Sequence, residues 1–293
     1  MFLNITKEFE MKKYYIVTET GGDLFKSDAE KYEIEIVPMH VQMEGESRDD
    51  GAFPVTDVFE SYRRTKVLPK TSATNPHEYK EAFDRIMAKN PDAHIVHVAY
   101  SAITTASYHN AVLAAEDMPN VTHIDTKQVT GGQRAVVLKV AEFIEANPDA
   151  TPQQIKEYGE KMAEKARFGF FPGDLEYLKA GGRVSNAAYL VASMLNLKPL
   201  IEMIDGKLVG TKKYRGTNEK VFVKFLDEYL ASNKFEKETF FMVYSEGMAD
   251  SLKKQLEDIA VKYGYEGFTW VPTGCVIATH AGPGAFGAGG FII

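Results

Sequence analysis

The chain has 293 residues, of which 44% are hydrophobic and 26% charged, and its net charge is −7. This composition is that of a globular protein long enough for two domains, and the acidic balance argues against nucleic-acid binding, which normally needs a basic surface. A single cysteine, Cys275, excludes a disulfide framework and a thiolate zinc cluster, so we predict a cytoplasmic protein without a metal site. No apolar run approaches the roughly 18 residues of a membrane span. We expect the fold to begin at Met11, with residues 1–10 preceding the natural start or forming a loose tail.

The first half of the chain alternates apolar runs with segments of helical periodicity. We predict strands at 14–18, 34–43, 94–99 and 121–125, and helices at 57–64, 76–89, 107–117 and 135–146. Strands and helices that alternate at this spacing indicate βαβ units and a mainly parallel sheet. Ligands of such sheets bind at the carboxyl ends of the strands.

The second half has a different pattern. A polar helix at 153–165 connects the halves, and Asp205-Gly206 between two apolar runs predicts a tight hairpin. Helices at 219–231 and 249–263, a strand at 239–244 and two closing β runs follow. We therefore predict an α/β protein of two α/β domains with a cleft between them. Residues 11–165 would contain a mainly parallel sheet, and residues 166–293 a mixed sheet.

The segment 277–287 carries the strongest functional signal. Its apolar run ends at Thr279-His280 and is followed by Gly282 and Gly284, which predicts a hydroxyl and an imidazole at the end of a strand. Glycines allow the backbone to approach a ligand closely, and such a histidine can hold an anion or move a proton. The alternative is a turn that closes a hairpin, with an exposed histidine. The G-x-G-x-x-G match that ends at Gly287 lacks the βαβ context of a dinucleotide site.

Two groups of polar side chains accompany this segment. Hydroxyls follow the predicted strands and either cap local turns or join His280 around a carboxylate as neutral donors; they include Thr20, Thr71, Ser72, Thr74, Ser101, Thr104, Thr105, Ser107, Thr126, Thr130 and Thr279. The second group is basic and is either solvated surface or a cationic lip for a phosphorylated ligand or an acidic partner; it comprises Lys179, Arg183, Lys212, Lys213 and Arg215.

From about residue 12 to residue 293 the chain resembles the DegV family, whose members include the fatty-acid-binding subunits of bacterial fatty acid kinase. Residues 17–24, V-T-E-T-G-G-D-L, are similar to the family's V-T-D-S-x-x-D-L, and 70–76, K-T-S-A-T-N-P, to P-x-T-S-Q-P. Residues 101–111 loosely follow S-S-x-L-S-G-T-Y-Q-x-A. The most specific matches are L-K-A-G-G-R-V-S at 178–185, continued by L-N-L-K-P at 195–199, and T-H-A-G-P-G-A at 279–285.

The resemblance implies a non-catalytic protein that needs no cofactor and holds a long-chain fatty acid, such as palmitate or oleate, in a tunnel between its domains. It implies that the carboxylate is bound by Thr71, Thr105 and His280, with Thr279 and Ser101 beside them. In the kinase system a separate ATP-dependent subunit phosphorylates that carboxylate to make an acyl phosphate. Arg183 and Arg215 match the family's basic residues near the tunnel mouth.

Departures from the family pattern leave alternatives open. Ala102, Thr104 and Ala106 replace the usual serine, leucine and glycine of the second motif, and Glu19 replaces an aspartate. A carrier of a different amphiphile is one alternative. A cleft enzyme that uses His280 and Glu19 as acid and base on a small acyl or phosphate substrate is another. Several apolar residues either line the tunnel or belong to an ordinary core: Phe168, Phe170, Phe171, Met194, Leu195 and Leu197.

Overall fold

The structure is a computed structural model that describes residues 13–182 and 197–293. Its strands are β1 (Tyr14–Glu19), β2 (Glu35–Val37), β3 (His40–Met43), β4 (Glu46–Asp49), β5 (Lys70–Ser72), β6 (His94–Ala99), β7 (Val121–Asp125), β8 (Ala166–Phe171), β9 (Leu197–Ile204), β10 (Lys207–Arg215), β11 (Phe241–Tyr244), β12 (Thr269–Pro272) and β13 (Phe286–Phe291). Its helices are α1 (Lys26–Tyr32), α2 (Val55–Thr65), α3 (Pro76–Lys89), α4 (Ser107–Ala114), α5 (Thr130–Ala146), α6 (Pro152–Lys165), α7 (Leu175–Gly181), α8 (Asn218–Ser232), α9 (Asp250–Lys262) and α10 (Cys275–Ala281).

Four strands of the first half form the parallel sheet, in the order β2-β1-β6-β7. The side chains along each strand pack alternately in two cores, because successive side chains point to opposite faces of the sheet. Val17 and Ile95 pack under α3 and α4, whereas Ile16 and Val96 pack under α5 and α6. Helices on both faces are what a parallel sheet requires, so the prediction for this half is confirmed.

Six strands of the second half form the mixed sheet, in the order β10-β9-β8-β13-β11-β12. Its strands pair antiparallel except for β11 and β12, which are parallel. The hairpin between β9 and β10 turns at Asp205 and Gly206, whose φ values of 47° and 77° suit a primed turn. The α/β class, with one mainly parallel and one mixed sheet, is confirmed.

A third, small sheet was not predicted. Its antiparallel order is β4-β3-β5. The prediction of one continuous run over 34–43 was wrong, because the chain leaves the parallel sheet after Val37 and enters the small sheet at His40. Pro38 lies between the two strands, and proline cannot donate a hydrogen bond to a sheet ladder. The small sheet bears on the predicted binding site because β5 carries Thr71.

The predicted strand before His280 was also wrong, since this segment is the helix α10. A run of three apolar residues cannot distinguish a strand from a helix. The N-terminal amides of α10 are satisfied by carboxylates distant in sequence: Gly274 N donates to Asp23 Oδ1 and Cys275 N to Asp50 Oδ1, both at 2.8 Å. These tertiary contacts satisfy donors that a helix start otherwise leaves open.

Helix α10 belongs to the second half of the sequence but packs against residues of the first half. It follows β12 and precedes β13 of the mixed sheet, yet its residues Cys275, Val276 and Ala278 share a core with Val41 and Phe59 of the first half. The predicted boundary between residues 165 and 166 coincides with the junction of α6 and β8 and remains a prediction. In the described part of the chain, no helix has the length and apolar character needed to cross a membrane.

Candidate binding site

The last turn of α10 brings His280 to Thr71. Oγ1 of Thr71 lies 2.8 Å from Nε2 of His280, across 209 residues of sequence. Gly282 and Gly284 then turn the chain into β13 with φ values of 74° and 72°, in the left-handed region that glycine tolerates. Two of the predicted site residues are therefore adjacent, and the glycines serve the turn that we expected of them.

Gly181 packs against the other side of the imidazole. A Cβ atom added at Gly181 would lie 2.1 Å from Nδ1 of His280, so a larger residue there would displace the ring. Gly173 N also donates to Ala281 O at 2.8 Å, which ties the segment before α7 to the end of α10. In the sequence the Gly181-Gly182 pair was identified only as part of a motif, and its packing against His280 was not predicted.

An apolar cavity adjoins His280. Its walls come from the mixed sheet, from α7 and α10, and from the loops that follow β6 and β7; they include Phe168, Phe170, Leu178, Leu208, Val243 and Ile277. The empty space is about 540 Å³ including its open end, within the range of roughly 300–1,000 Å³ for small-molecule sites. The cavity is narrow, so its walls must separate to admit a long ligand.

Strand β8 divides the predicted tunnel residues between two environments. Phe168 and Phe170 lie on one face and line the cavity. Phe171 lies on the opposite face and packs against Phe222 and Phe225 in the core, as strand alternation requires. Leu197 begins β9 and is half-buried, while Met194 and Leu195 lie outside the described residues.

Three predicted carboxylate-binding hydroxyls have other partners. Ser101 Oγ donates to Gly206 O at 2.6 Å and attaches the loop after β6 to the β9–β10 turn. Thr105 Oγ1 lies 3.2 Å from Ser107 Oγ at the start of α4, and Thr279 Oγ1 donates to Cys275 O within α10 at 2.8 Å. The printed contacts of these hydroxyls are therefore with backbone or side-chain groups other than the Thr71–His280 pair: Thr105 and Thr279 bond locally, and Ser101 bonds to a distant turn.

The predicted basic residues are only partly described. Arg183 lies outside the described residues. Arg215 is exposed at the end of β10, and Lys179 is exposed on α7. Lys212 forms an ion pair with Glu228 at 2.8 Å. Arg215 and Lys179 thus remain candidates for contact with a partner.

Glu19 is fully buried at the end of β1, inside the first half. Its carboxylate accepts hydrogen bonds from Tyr79 Oη, from Tyr100 N at 2.9 Å and from Gln133 Nε2 at 2.8 Å, and it lies 2.7 Å from Nε2 of His97. Burial alone raises the pKa of Glu19, but the charge of His97 and the hydrogen bonds outweigh burial and lower it.

The network of Glu19 continues to a second histidine. Nδ1 of His97 lies 3.0 Å from Nδ1 of His123. Burial lowers the pKa of His123 to about 3, so this ring is neutral at physiological pH. These contacts of Glu19 lie inside the first half of the chain, where the carboxylate supports the strand ends and the Tyr100 amide.

Asp23 and Asp50 form a buried carboxylate pair at the start of α10. Asp23 accepts hydrogen bonds from Gly274 N and from the hydroxyl of Thr130. Burial raises the pKa of Asp23 well above its ordinary value, and the neighbouring Asp50 raises it further. The folded protein thus binds a proton at Asp23 more tightly than the unfolded chain does, and this contribution to stability decreases as pH rises above about 4.

We therefore expect Asp23→Asn to gain stability relative to the unchanged protein as pH rises from 4.5 to 8. The amide oxygen keeps the bond from Gly274 N, and the Thr130 hydroxyl rotates to accept from the amide nitrogen. Urea unfolding at three pH values measures the effect, with Asp92→Asn on an exposed loop as the control. Parallel pH profiles for Asp23→Asn and the unchanged protein would contradict the prediction.

Comparison with known proteins gives consistent matches over the chain. The model of a family described as "Uncharacterised protein, DegV family" matches residues 13–291. A fatty acid-binding protein of Thermotoga maritima is 26% identical over 283 residues, covering 94% of this chain and 97% of that protein.

Solved structures agree with this match. A DegV family protein from Thermus thermophilus, described for fatty acid binding, has a TM-score of 0.83 at 23% identity and covers 96% of this chain and 100% of its own; this likeness shows the fold. A stearic acid-binding protein from Eubacterium ventriosum has a TM-score of 0.77 at 26% identity, covering 95% of this chain and 97% of its own.

Proposed function

The chain belongs to the DegV family, and on that premise we propose that it binds a long-chain fatty acid between its two halves. One observation carries the proposal: the apolar cavity runs up to His280, whose imidazole already has a hydroxyl partner in Thr71. The relatives from Thermotoga maritima and Eubacterium ventriosum, described as binding fatty acid and stearic acid, support it.

The cavity supplies affinity through apolar burial. Each buried methylene contributes about 0.8 kcal/mol, so a chain of about 16 carbons gains on the order of 10 kcal/mol before the costs of association. Such a gain suffices for tight binding without a buried counter-charge. The polar groups at His280 then fix the orientation of the ligand rather than its total affinity.

The carboxylate would replace the bond between Thr71 and His280. In the structure these groups satisfy each other at 2.8 Å. When a carboxylate enters, the Thr71 hydroxyl and an imidazole N–H each donate to one of its oxygens. Two neutral donors hold the anion without the desolvation cost of a buried ion pair. They also leave its remaining lone pairs open.

Lipid extraction and direct titration test this proposal. Mass spectrometry of the organic extract of the purified protein should detect a long-chain fatty acid. Titration of delipidated protein with palmitate and oleate should show saturable binding with one site. Absence of an acyl ligand in the extract, together with absence of binding to either acid, would overturn the proposal.

We further propose that the bound carboxylate is presented to a separate ATP-dependent kinase subunit that makes the acyl phosphate. The family resemblance supports this step, and exposed cations, Lys179 and Arg215, are suitable for an acidic partner surface. Lipid-loaded protein mixed with ATP and a bacterial fatty acid kinase catalytic subunit should yield acyl phosphate. Lipid binding without acyl phosphate formation would support the proposed fatty acid binding and contradict the proposed presentation to a kinase subunit.

Gly181 offers a way to disturb the head-group site without removing a polar atom. We expect Gly181→Ala to weaken palmitate binding by about tenfold, equivalent to the loss of one hydrogen bond, because its Cβ would displace the imidazole of His280. Titration with palmitate measures the effect. Gly267→Ala, in open surroundings on the surface, is the matched control, and equal affinities for the two variants would contradict the prediction.

A further inference from the structure

The cavity runs along β8, away from His280 and towards the start of the strand. Gly173, just after β8, donates its N–H to Ala281 O at 2.8 Å, so the carboxyl end of β8 lies beside the last turn of α10 and His280. From that end, Phe170 and then Phe168 line the cavity. The end of the cavity that is distant from His280 therefore lies at Phe168.

A gap in the mixed sheet lies beyond Phe168. Within the described residues, β8 pairs with β9 only at Gly169 and Phe170, although β8 begins at Ala166. A second pocket, of about 950 Å³ including its open end, lies where the two strands separate. Its walls include Ala166 and Phe168 on the side of β8 and Met203 on the side of β9.

The side chain of Phe168 is the wall between the two spaces, because it lines both of them. On the same face of β8, Phe170 lines the cavity and Ala166 lines the second pocket, as a period of two residues along a strand allows. Phe168 is only 3% exposed, and its ring stacks on Phe170 at 5.7 Å and on Phe241 at 5.9 Å between centroids. The ring is therefore held in place by aromatic neighbours.

The ring of Phe168 leans into the cavity. A Cβ atom added at Gly287 would lie 2.8 Å from both Cε2 and Cζ of Phe168. Gly287 pairs with Phe170, which is nearer to His280 than Phe168 is. The tip of the ring thus fills space on the cavity side of its own backbone, and its loss would lengthen the cavity.

The second pocket is a poor place for a hydrocarbon tail. Methylenes that entered it would remove water from charged groups without replacing the lost hydrogen bonds, which is unfavourable. The walls carry charged side chains of both signs, namely Lys127, Glu164, Arg167, Glu202 and Asp205. The apolar path for a tail therefore ends at the ring of Phe168.

We propose that Phe168 is the end stop for the acyl chain and sets the longest fatty acid that the protein binds well. This inference rests on the proposed function, which places the carboxylate at His280 and so directs the tail towards Phe168. Each buried methylene strengthens binding by about fourfold until the methyl end meets the ring. A longer tail must displace the ring or bend, and such overpacking is unfavourable.

Competition binding with even-numbered saturated acids from laurate to behenate tests the inference. For the unchanged protein, affinity should rise by about tenfold for each added pair of carbons up to a limiting length, and should then stop rising. Phe168→Ala removes a six-carbon ring, and the partly relaxed space should move the limit by about four carbons. Phe168→Leu, a smaller change, should move it by about two carbons.

Phe170→Ala is the matched control, because it removes an aromatic ring from the same face of β8 but at the side of the path. It should weaken binding of all the acids to a similar degree and leave the limiting length unchanged. Circular dichroism and a melting curve establish that each variant is folded. If Phe168→Ala does not fold, the shift in Phe168→Leu decides the question.

The results separate this inference from the proposed function. If the unchanged protein binds fatty acids but its affinity rises all the way to behenate, the inference is wrong and fatty acid binding stands. The same conclusion follows if the folded Phe168 variants keep the original limit, or if Phe170→Ala moves it equally. If no acid of the series binds to the unchanged protein, the proposed function fails and the inference fails with it.

Discussion

Replacement of His280 by alanine is expected to weaken palmitate binding by about 10- to 100-fold, because a hydrogen bond to a charged group contributes about 1.5–3 kcal/mol. The imidazole is adjacent to both the cavity and Thr71, so its removal takes one of the two proposed donors from the carboxylate. Isothermal titration of delipidated protein with palmitate measures the change. His280→Gln, which keeps an N–H donor, should lose less.

Two threonine variants provide the controls for this experiment. Thr71→Val should also weaken binding, by about tenfold, since it removes the hydroxyl donor. Thr279→Val should change binding by less than about twofold. The Thr279 hydroxyl donates to the backbone oxygen of Cys275 within α10, so its proton is not available to a ligand. Unchanged affinity in His280→Ala would show that the carboxylate lies elsewhere.

Replacement of Glu19 by alanine is expected to destabilise the protein by about 3–5 kcal/mol, the cost of breaking a buried charge pair by removing one partner. The substitution would leave His97, Tyr79 and Gln133 without their common acceptor. Urea unfolding at pH 7 measures the change in the free energy of unfolding.

A matched variant distinguishes this effect from a general loss of negative charge. Glu30→Ala removes an exposed carboxylate that pairs with Lys26 at 3.6 Å, and surface pairs contribute about 0–1 kcal/mol. Glu19→Gln keeps the size of the side chain and should lie between the two. If Glu19→Ala and Glu30→Ala have the same stability, the buried network does not hold the strand ends together.

The sequence was sufficient for the parts of the site that have local signatures. The parallel sheet followed from alternating strands and helices, and the β9–β10 hairpin from Asp205-Gly206. Thr71 and His280 were both named from short motifs, and the structure places them in contact. Their role in carboxylate binding remains a prediction that the His280 and Thr71 variants address.

Features that depend on contacts across the chain had no such signature. The helical state of α10 depends on Asp23 and Asp50, which precede it by more than two hundred residues. Ser101 follows a predicted strand, as a ligand-binding hydroxyl would, yet it donates to the backbone oxygen of Gly206 in a turn.

The separation of 209 residues between Thr71 and His280 has a consequence for synthesis. Because chains emerge from the ribosome N-terminus first and fold progressively, β5 leaves the ribosome long before α10 is translated. The contact between Thr71 and His280 is therefore among the last features to form. A nascent chain that ends before His280 lacks the Thr71–His280 pair, so under the proposed function a fatty acid binds after synthesis of the chain and not during it.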